Sequence, residues 1–296
     1  MTDLQIYSPV QQIHNPIFTE KEVQVFVKRD DMIHPFISGN KWRKLKYILR
    51  EAEILNKKHL VTFGGAYSNH LLATACAAAK FGLKSTGLVR GEPVQNELLM
   101  LCRILGMELR FTDRSSYRNK LELFEKDFQN DPDTFFIDEG GAGFQAVRGC
   151  AELVDELTDQ YDHIFCAAGT GTTAAGIISG IKKHTLQTKT HVIPVLKGGG
   201  FLIAEIEKYS DTPIPFEFHA DYHFGGYAKT TAELLNFIQR FSRKTGILID
   251  PVYTGKMFFA IFDLISKDQL LPGSKILALH TGGLFGILGM LERFNP

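Results

Sequence analysis

The chain contains little cysteine and no paired metal-ligand motif. Its 296 residues include four cysteines, which stand singly in apolar stretches with no Cys-x-x-Cys pair and no histidines at ligand spacing. Zinc sites and redox motifs need such groupings. The pattern therefore gives no reason to expect a metal, and it predicts four reduced core thiols: Cys76, Cys102, Cys150 and Cys166.

The chain also lacks net charge, long apolar runs and a leader-like N-terminus. Lys plus Arg and Asp plus Glu each number 33, so no net field would steer the protein toward nucleic acid or an anionic membrane. No run reaches the roughly 18 apolar residues of a membrane span, and the basic and apolar regions of a secretory signal are missing. We expect a cytoplasmic protein with a small-molecule partner and neither nucleic acid nor membrane as a partner.

What is present is a regular alternation of short β-rich runs and helical patterns, which indicates an α/β fold of mainly parallel sheets with helices on their faces. The predicted strands are 59–63, 85–89, 109–112, 134–137, 163–167, 191–195, 215–219, 247–249 and 276–280. The predicted helices are 41–55, 69–81, 95–105, 142–157, 173–184, 232–244 and 256–265. The length exceeds that of one typical core, so we expect two domains.

Glycines cluster directly after several predicted strands. The clusters are Gly64-Gly65, Gly169 with Gly171, Gly198-Gly199-Gly200, and Gly282-Gly283. In an open parallel sheet, ligands bind just beyond the carboxyl ends of the strands, where loops enter helix N-termini. These loops are therefore the predicted binding edge.

The loop after the strand at 163–167 has the composition of a phosphate site. Gly169-Thr170-Gly171-Thr172-Thr173 offers backbone N–H groups, hydroxyls and a helix dipole to one dianionic phosphate. No Gly-Lys-Ser or Gly-Lys-Thr follows, which excludes a Walker loop, and Ala174 breaks the dinucleotide spacing. A monophosphate fits best, and the alternative is an ordinary tight strand-to-helix turn.

Lys41 stands at the start of a predicted helix that Ser38 or Asn40 could cap. The positive end of a helix dipole lowers the pKa of an amine, and a free amine can condense with an aldehyde. For the neighbouring Lys44 and Lys46 we expect the simpler role of a solvated helix face. Lys41 is thus the candidate covalent anchor.

Five motifs follow one another along the chain: Ser38-Gly39-Asn40-Lys41-x-Arg43-Lys44-Leu45, Gly64-Gly65-x-x-Ser68-Asn69-His70, the loop from Gly169 to Gly176, Pro251-Val252-Tyr253-Thr254-Gly255-Lys256, and His280-Thr281-Gly282-Gly283. Together they resemble the D-cysteine desulfhydrase and 1-aminocyclopropane-1-carboxylate (ACC) deaminase family of pyridoxal 5′-phosphate (PLP) enzymes. The resemblance covers nearly the whole chain. It implies the tryptophan-synthase-β type of fold (fold type II), with a large PLP-binding domain at 1–50 and 140–296 and a small domain at 51–139.

The resemblance also implies a role for individual residues. Lys41 would be the Schiff-base lysine and the base for the substrate's α-proton, and Asn69 would bind the phenolic oxygen of the cofactor. Ser68, with the N–H groups of Asn69 and His70, would bind the substrate carboxylate, and Ser68 is also a candidate for proton transfer or nucleophilic chemistry. The phosphate would be held by Gly169, Thr170, Gly171, Thr172 and Thr173. The side chains of His70 and His280 are interpreted as scaffolding.

Two tyrosines and two threonines complete the implied site. Tyr253 and Tyr227 would donate a proton or pack on the cofactor ring, the alternative being core rings with satisfied hydroxyls. Thr254 and Thr281 are the candidates that face the pyridine nitrogen. ACC deaminases carry Glu at the position of Thr254, whereas D-cysteine desulfhydrases carry Thr, so opening of a cyclopropane ring is doubtful here. Trp42 replaces a smaller residue found in relatives.

The resulting hypothesis is a PLP-dependent lyase or deaminase of a small amino acid, expected to be a homodimer. Its leading reaction is α,β-elimination from D-cysteine to pyruvate, ammonia and sulfide. The alternatives are ACC deaminase activity and deamination of another small D-amino acid such as D-serine. A protein of a different class, which binds PLP or senses amino acids with little turnover, is the remaining alternative.

Overall fold

The computed structural model describes residues 3–210 and 215–294. Ten strands form two sheets in this part of the chain. The strands are β1 (Val10–Ile13), β2 (Gln24–Lys28), β3 (His59–Gly65), β4 (Lys84–Arg90), β5 (Glu108–Thr112), β6 (Thr134–Ile137), β7 (His163–Ala168), β8 (Lys189–Pro194), β9 (Glu217–Phe218) and β10 (Lys275–Leu279).

The larger sheet has the order β1-β2-β10-β7-β8-β9 and the smaller has the order β5-β4-β3-β6. Every described pairing is parallel except that of β1 with β2. Parallel neighbours need crossover connections, and helices supply most of them. The fold is therefore α/β with two open, mainly parallel sheets flanked by helices, as predicted.

The helices alternate with the strands along the chain. They are α1 (Pro16–Glu20), α2 (Asn40–Ile54), α3 (Asn69–Phe81), α4 (Glu97–Ile104), α5 (Lys120–Phe128), α6 (Phe144–Asp155), α7 (Thr172–Lys183), α8 (Leu202–Glu207), α9 (Ala232–Thr245), α10 (Thr254–Ser266) and α11 (Leu291–Phe294). In the described part of the chain, none is long and apolar enough to cross a membrane.

The larger sheet is buried on both faces. Along β10, Ile276 and Ala278 join one apolar cluster with α9 and α10, whereas Leu277 and Leu279 join the opposite cluster with α6 and α7. Alternate residues of a strand point to opposite faces, so a strand covered on both sides is apolar throughout. This is why β10 reads as a continuous apolar run.

The strand predictions failed in two places. Residues 247–249 form no strand, although their exposures of 1%, 49% and 0% alternate as in one; they pair with no other strand among the described residues. β1 and β2 were missed, because the prediction began at residue 59. β2 pairs with β10, about 250 residues later in the chain, and such a distant pairing leaves little local signal.

The smaller sheet, β3 to β6, lies within the predicted small-domain range 51–139. The domain boundaries themselves stay a prediction. All four cysteines are buried and free, which confirms the predicted reduced core thiols.

Candidate active site

The predicted motifs meet at the carboxyl edge of the larger sheet. A Cβ atom on Gly39 would lie 1.9 Å from the carbonyl oxygen of Thr281, so only glycine allows this close approach. Gly39 has φ +62 and is the N-cap of α2, with no side-chain cap; the predicted capping by Ser38 or Asn40 is wrong. The Asn40 amide instead donates to Thr173 Oγ1 at 2.9 Å, which joins the start of α2 to the start of α7.

The loop from Gly169 to Thr173 presents unused backbone donors. Among the described residues, none of its five N–H groups has a hydrogen-bond acceptor. Gly171 is left-handed (φ +76) and starts α7, and the hydroxyls of Thr170 and Thr172 lie 3.1 Å apart. Unpaired N–H groups at a helix N-terminus favour an anion. The arrangement suits a phosphate, as predicted.

The Lys41 amine is half-buried and has no hydrogen-bond or ion-pair partner in the described part of the chain. Burial, and then the charge of Lys44, lower the pKa of Lys41 to about 7. A lysine with this pKa is largely uncharged slightly above neutral pH, and the uncharged amine is the nucleophilic form. The structure thus places a reactive amine at the predicted position.

Lys44 is a site residue that the sequence interpretation missed. It was assigned to a solvated helix face, but its side chain is 3% exposed. Its ammonium donates to the Gly140 carbonyl at 2.9 Å and to Thr170 Oγ1 at 3.4 Å. It therefore brings a positive charge to the predicted phosphate loop, and the spacing of three residues from Lys41 along α2 was the available signal.

The neighbours of Lys41 anchor α2. The Arg43 guanidinium is 1% exposed and pairs with Asp30 at 2.5 and 2.7 Å and with Glu156 at 2.9 Å. Trp42 is fully buried and packs 6.2 Å from the ring of Phe81. Its large ring thus fills the core between α2 and α3, which accounts for this departure from the family pattern.

Ser68, Asn69 and His70 form the start of α3. Ser68 is the N-cap and accepts from the N–H of Leu71 at 3.4 Å. Among the described residues, the N–H groups of Asn69 and His70 have no acceptor, so they are available to a carboxylate. The Asn69 amide donates to the Gly283 carbonyl at 3.0 Å, which brings α3 to the loop after β10.

The side chains of His70 and His280 are held by the fold. Thr62 Oγ1 donates to the Ile137 carbonyl at 3.0 Å and therefore accepts from His70 Nε2 at 2.8 Å. Burial, and then the charge of Lys41, lower the pKa of His70 well below its ordinary value. His280 is fully buried and bonds the Leu248 carbonyl at 2.7 Å. These contacts agree with the scaffolding interpretation.

Tyr253 and Tyr227 lie side by side. The Tyr253 hydroxyl is 3.4 Å from that of Tyr227, and the rings meet edge to face at 6.0 Å. A Cβ on Gly169 would lie 3.0 Å from the Tyr253 ring, so this tyrosine borders the phosphate loop. Burial, and then Tyr227, raise the pKa of Tyr253 well above its ordinary value. Its phenol is therefore protonated near neutral pH, and its hydroxyl makes only the long contact with Tyr227.

Lys256 positions the tyrosine pair. It is fully buried, and its ammonium donates to the carbonyls of His223 and Gly226 at 2.8 Å each. Those carbonyls belong to the loop that leads into Tyr227. Burial lowers the pKa of Lys256 to about 8. One side chain thus ties α10, whose N-cap is Tyr253, to the segment that carries Tyr227.

The two predicted threonines have different environments. The Thr254 hydroxyl donates to the Asp250 carboxylate at 2.7 Å and accepts from the Asp250 N–H at 2.9 Å. Its single proton is therefore committed, and it has none for a pyridine nitrogen. Thr281 is 7% exposed, and its hydroxyl makes no hydrogen bond with any described residue. Of the two candidates, only Thr281 has a hydroxyl proton that no described residue accepts.

Comparison with known proteins agrees with this geometry. Residues 2–282 match the model of a family described as pyridoxal-phosphate dependent enzyme. A protein of Pyrococcus horikoshii named putative 1-aminocyclopropane-1-carboxylate deaminase is 32% identical over 94% of this chain and 90% of its own. The chain belongs to the family of pyridoxal-phosphate dependent enzymes.

Two further proteins are similar to this chain over most of its length. The mitochondrial bifunctional D-cysteine desulfhydrase/1-aminocyclopropane-1-carboxylate deaminase of Arabidopsis thaliana is 28% identical over 91% of this chain and 75% of its own. The crystal structure of an ACC deaminase homologue superimposes with a TM-score of 0.86 at 30% identity, covering 98% of this chain and 94% of that one. The predicted family, the fold and the PLP cofactor are thereby confirmed.

The residues present fit the cofactor. Five unpaired N–H groups and the buried Lys44 suit its phosphate, the unpartnered Lys41 amine suits its aldehyde, and the Thr281 hydroxyl suits its pyridine nitrogen. When bound, PLP withdraws the electron pair left at a substrate carbon after a bond to it has broken. The family assignment and this donor set make the protein a PLP-dependent enzyme.

Proposed function

We propose that this enzyme catalyses α,β-elimination from a small amino acid, with D-cysteine as the leading substrate. The observation that carries the proposal concerns the two threonines that the resemblance assigns to the pyridine nitrogen. The hydroxyl of Thr281 is available, and Thr254 stands where ACC deaminases carry Glu. A hydroxyl does not protonate the ring nitrogen as an acid would, so less carbanion character is stored and a good β-leaving group departs readily.

The residues of the site support the steps of this reaction. The N–H groups of Asn69 and His70 would hold the substrate carboxylate beside Ser68. Lys41, with its pKa near 7, would take the α-proton, and the Tyr253 phenol would deliver a proton to the departing sulfur. The Cα–H and Cβ–S bonds break, and one water is consumed to give pyruvate, ammonia and hydrogen sulfide.

ACC deaminase activity is the second candidate, because several relatives carry that name, among them a protein of Rhizobium rhizogenes that is 30% identical over 93% of this chain. A third candidate is a deaminase of another small D-amino acid such as D-serine. A PLP-binding or amino-acid-sensing protein with little turnover is the non-enzyme candidate, against which the available Lys41 and Tyr253 argue. The homodimer and the cytoplasmic location stay proposals.

We expect the purified, PLP-saturated protein to have a higher kcat/KM for D-cysteine than for ACC. The measurement is keto-acid release from D-cysteine, L-cysteine, D-serine and ACC, with sulfide as a second product for the cysteines. Lys41→Ala is the matched control and should abolish release from all four. A clear preference for ACC would mean that the residue at position 254 does not decide the reaction type.

A further inference from the structure

A basic pocket lies at the carboxyl edge of the smaller sheet. Its volume is about 440 Å³, and it is lined by Arg90, Arg114, Tyr117, Arg118, Lys120 and Glu139. Four cationic side chains thus face one carboxylate. We call this cavity the arginine pocket.

The positive charges of the arginine pocket are poorly neutralised. Arg114 and Arg118 have no ion pair or hydrogen bond among the described residues. The Glu139 carboxylate lies 3.7 Å from Arg90 and 3.8 Å from Lys120, and the carboxylate of Asp138, which is not part of the pocket lining, lies 3.7 Å from Lys120. All three distances are longer than a charge-assisted hydrogen bond of about 2.7–2.9 Å. Cations gathered in a cavity repel one another unless an anion joins them. The arrangement is that of a site for an anion.

Tyr117 is an independent sign of a ligand. Its side chain is 3% exposed, yet its hydroxyl has no hydrogen-bond partner among the described residues. The ring is fixed edge to face on Phe63 at 5.9 Å and lies under Arg90 at 5.4 Å. Burial, and then Glu139, raise the pKa of Tyr117, so the hydroxyl stays protonated. Tyr117 is thus a buried donor in the pocket wall that lies beside the Glu139 carboxylate but makes no hydrogen bond of normal length and angle to it, and such groups are rare.

The arginine pocket adjoins the candidate active site. Gly65, which precedes the Ser68 segment, pairs with Arg90 across the smaller sheet, and a Cβ on Gly65 would lie 3.7 Å from the Arg90 guanidinium. Glu139 directly precedes Gly140, whose carbonyl binds Lys44. Both Glu139 and Arg90 act electrostatically on Tyr227. The pocket therefore flanks the site on the side of the substrate-binding segment and Tyr227.

We propose that the arginine pocket is a subsite for an anionic group on the substrate side chain, so that, besides D-cysteine, the enzyme accepts small amino acids whose β-substituent is a phosphate or sulfate ester. This inference rests on the proposed elimination. Guanidinium groups bind tetrahedral oxyanions through paired N–H donors, and the Tyr117 hydroxyl supplies one more donor. The departing anion takes the electron pair of the Cβ–O bond, the α-proton leaves to Lys41, and one water completes the keto acid and ammonia.

The test compares kcat/KM for O-phosphoserine, O-sulfoserine and serine, in both enantiomers, on the PLP-saturated enzyme. Phosphate and sulfate esters are intrinsically better leaving groups than hydroxide, so the decisive quantity is how the ester-to-serine ratio changes with mutation. We expect the double variant Arg114→Gln/Arg118→Gln to lower this ratio at least tenfold, and Tyr117→Phe to lower it by a smaller factor. Arg103→Gln removes an exposed cation outside the pocket and should leave the ratio within twofold of wild type.

Two outcomes would overturn the inference, and they are distinguishable. If the ester-to-serine ratio of kcat/KM is unchanged in the double variant while D-cysteine still yields pyruvate, the arginine pocket is not a substrate subsite and the proposed function stands. If no substrate yields a keto acid, the proposed function fails and the inference falls with it. Thermal unfolding and cofactor absorbance of each variant verify that the fold and PLP binding are intact.

Discussion

Lys41 and Lys44 lie three positions apart on one helix. Both are shielded from solvent, but their amino groups differ in hydrogen-bond partners. The Lys41 amine has no partner in the described part of the chain, and burial lowers its pKa to about 7. Burial lowers the pKa of Lys44 as well, but the Lys44 ammonium has two oxygen acceptors. An unpartnered buried amine tends to lose its proton, whereas hydrogen bonds to oxygen favour the charged form. One residue type thus supplies a nucleophile and a phosphate-facing cation.

At the residue scale we expect Tyr253→Phe and Thr170→Ala to cause separable defects. A phenol that transfers a proton acts on the chemical step, so Tyr253→Phe should lower kcat by about 10²–10⁴. A Thr170 hydroxyl that binds the phosphate stabilises the ground state and the transition state equally. Its loss should therefore weaken PLP binding by about 1.5–3 kcal/mol without changing the chemical step. The measurements are PLP affinity and the rate of pyruvate formation with PLP in excess.

The outcome for Tyr253 is decided at saturating PLP. Restoration of a near wild-type rate in Tyr253→Phe would assign this tyrosine to the cofactor cradle and remove its catalytic role. Persistence of the defect, with normal cofactor absorbance, would support proton transfer.

Among the strands, the larger sheet carries a row of three hydrogen-bonded histidines. His163 of β7 lies 2.9 Å from His191 of β8, which lies 2.9 Å from His219 after β9. The His191 ring stacks on Phe165 at 4.2 Å. Burial, and then the other two histidines, lower the pKa of His191 to about 3. The row can exist only with most of its rings neutral, since each bridge needs an acceptor nitrogen.

We predict that this histidine row makes stability fall at acid pH. The pKa of His191 is lower in the folded state than the unfolded value of about 6.5, so the unfolded state binds more protons between these values. Stability is therefore fully present above pH 6.5 and is lost as the pH falls toward 3. Each such group contributes a slope of up to about 1.4 kcal/mol per pH unit.

Urea unfolding of wild type and His191→Gln between pH 4.5 and 8 tests this prediction. The amide keeps a donor and an acceptor but does not titrate, so the variant should show a shallower loss of stability on acidification. His14→Gln, at an exposed histidine outside the row, is the control. Identical slopes in wild type and His191→Gln would contradict the assignment.

For the whole molecule, a buried ion network joins segments that are far apart in sequence. Arg43 of α2 pairs with Asp30, which follows β2, and with Glu156 at the end of α6. Lys28 of β2 adds a second contact to Glu156 at 2.8 Å. The network thus fixes the helix that carries Lys41 against the larger sheet and α6.

We expect Arg43→Met to destabilise the protein by about 3–5 kcal/mol, because it leaves the buried Asp30 carboxylate without its main partner. Arg50→Met removes the exposed pair with Asp3 and should cost less than about 1 kcal/mol. Guanidinium chloride unfolding of the two variants gives the comparison. Equal, small effects would show that Ser8, which also donates to Asp30, is a sufficient partner.

Much of the architecture was predictable because its signals are local. The helix predicted at 69–81 agrees with α3 and the strand predicted at 134–137 agrees with β6, since capping residues and apolar periodicity lie within each element. The family and cofactor followed from five short motifs in order. The roles of the individual site residues stay predictions, although the structure brings their loops together.

Two features depended on the tertiary structure alone. Lys44 is buried because the loop at Gly140, about 100 residues away, covers it. The arginine pocket combines the ends of β4 and β6 with the segment between them. Composition and periodicity show which face of an element is apolar, but not which distant segment covers a charged side chain. Burial and hydrogen-bond partners set a side chain's pKa and availability, so the folded chain decides them.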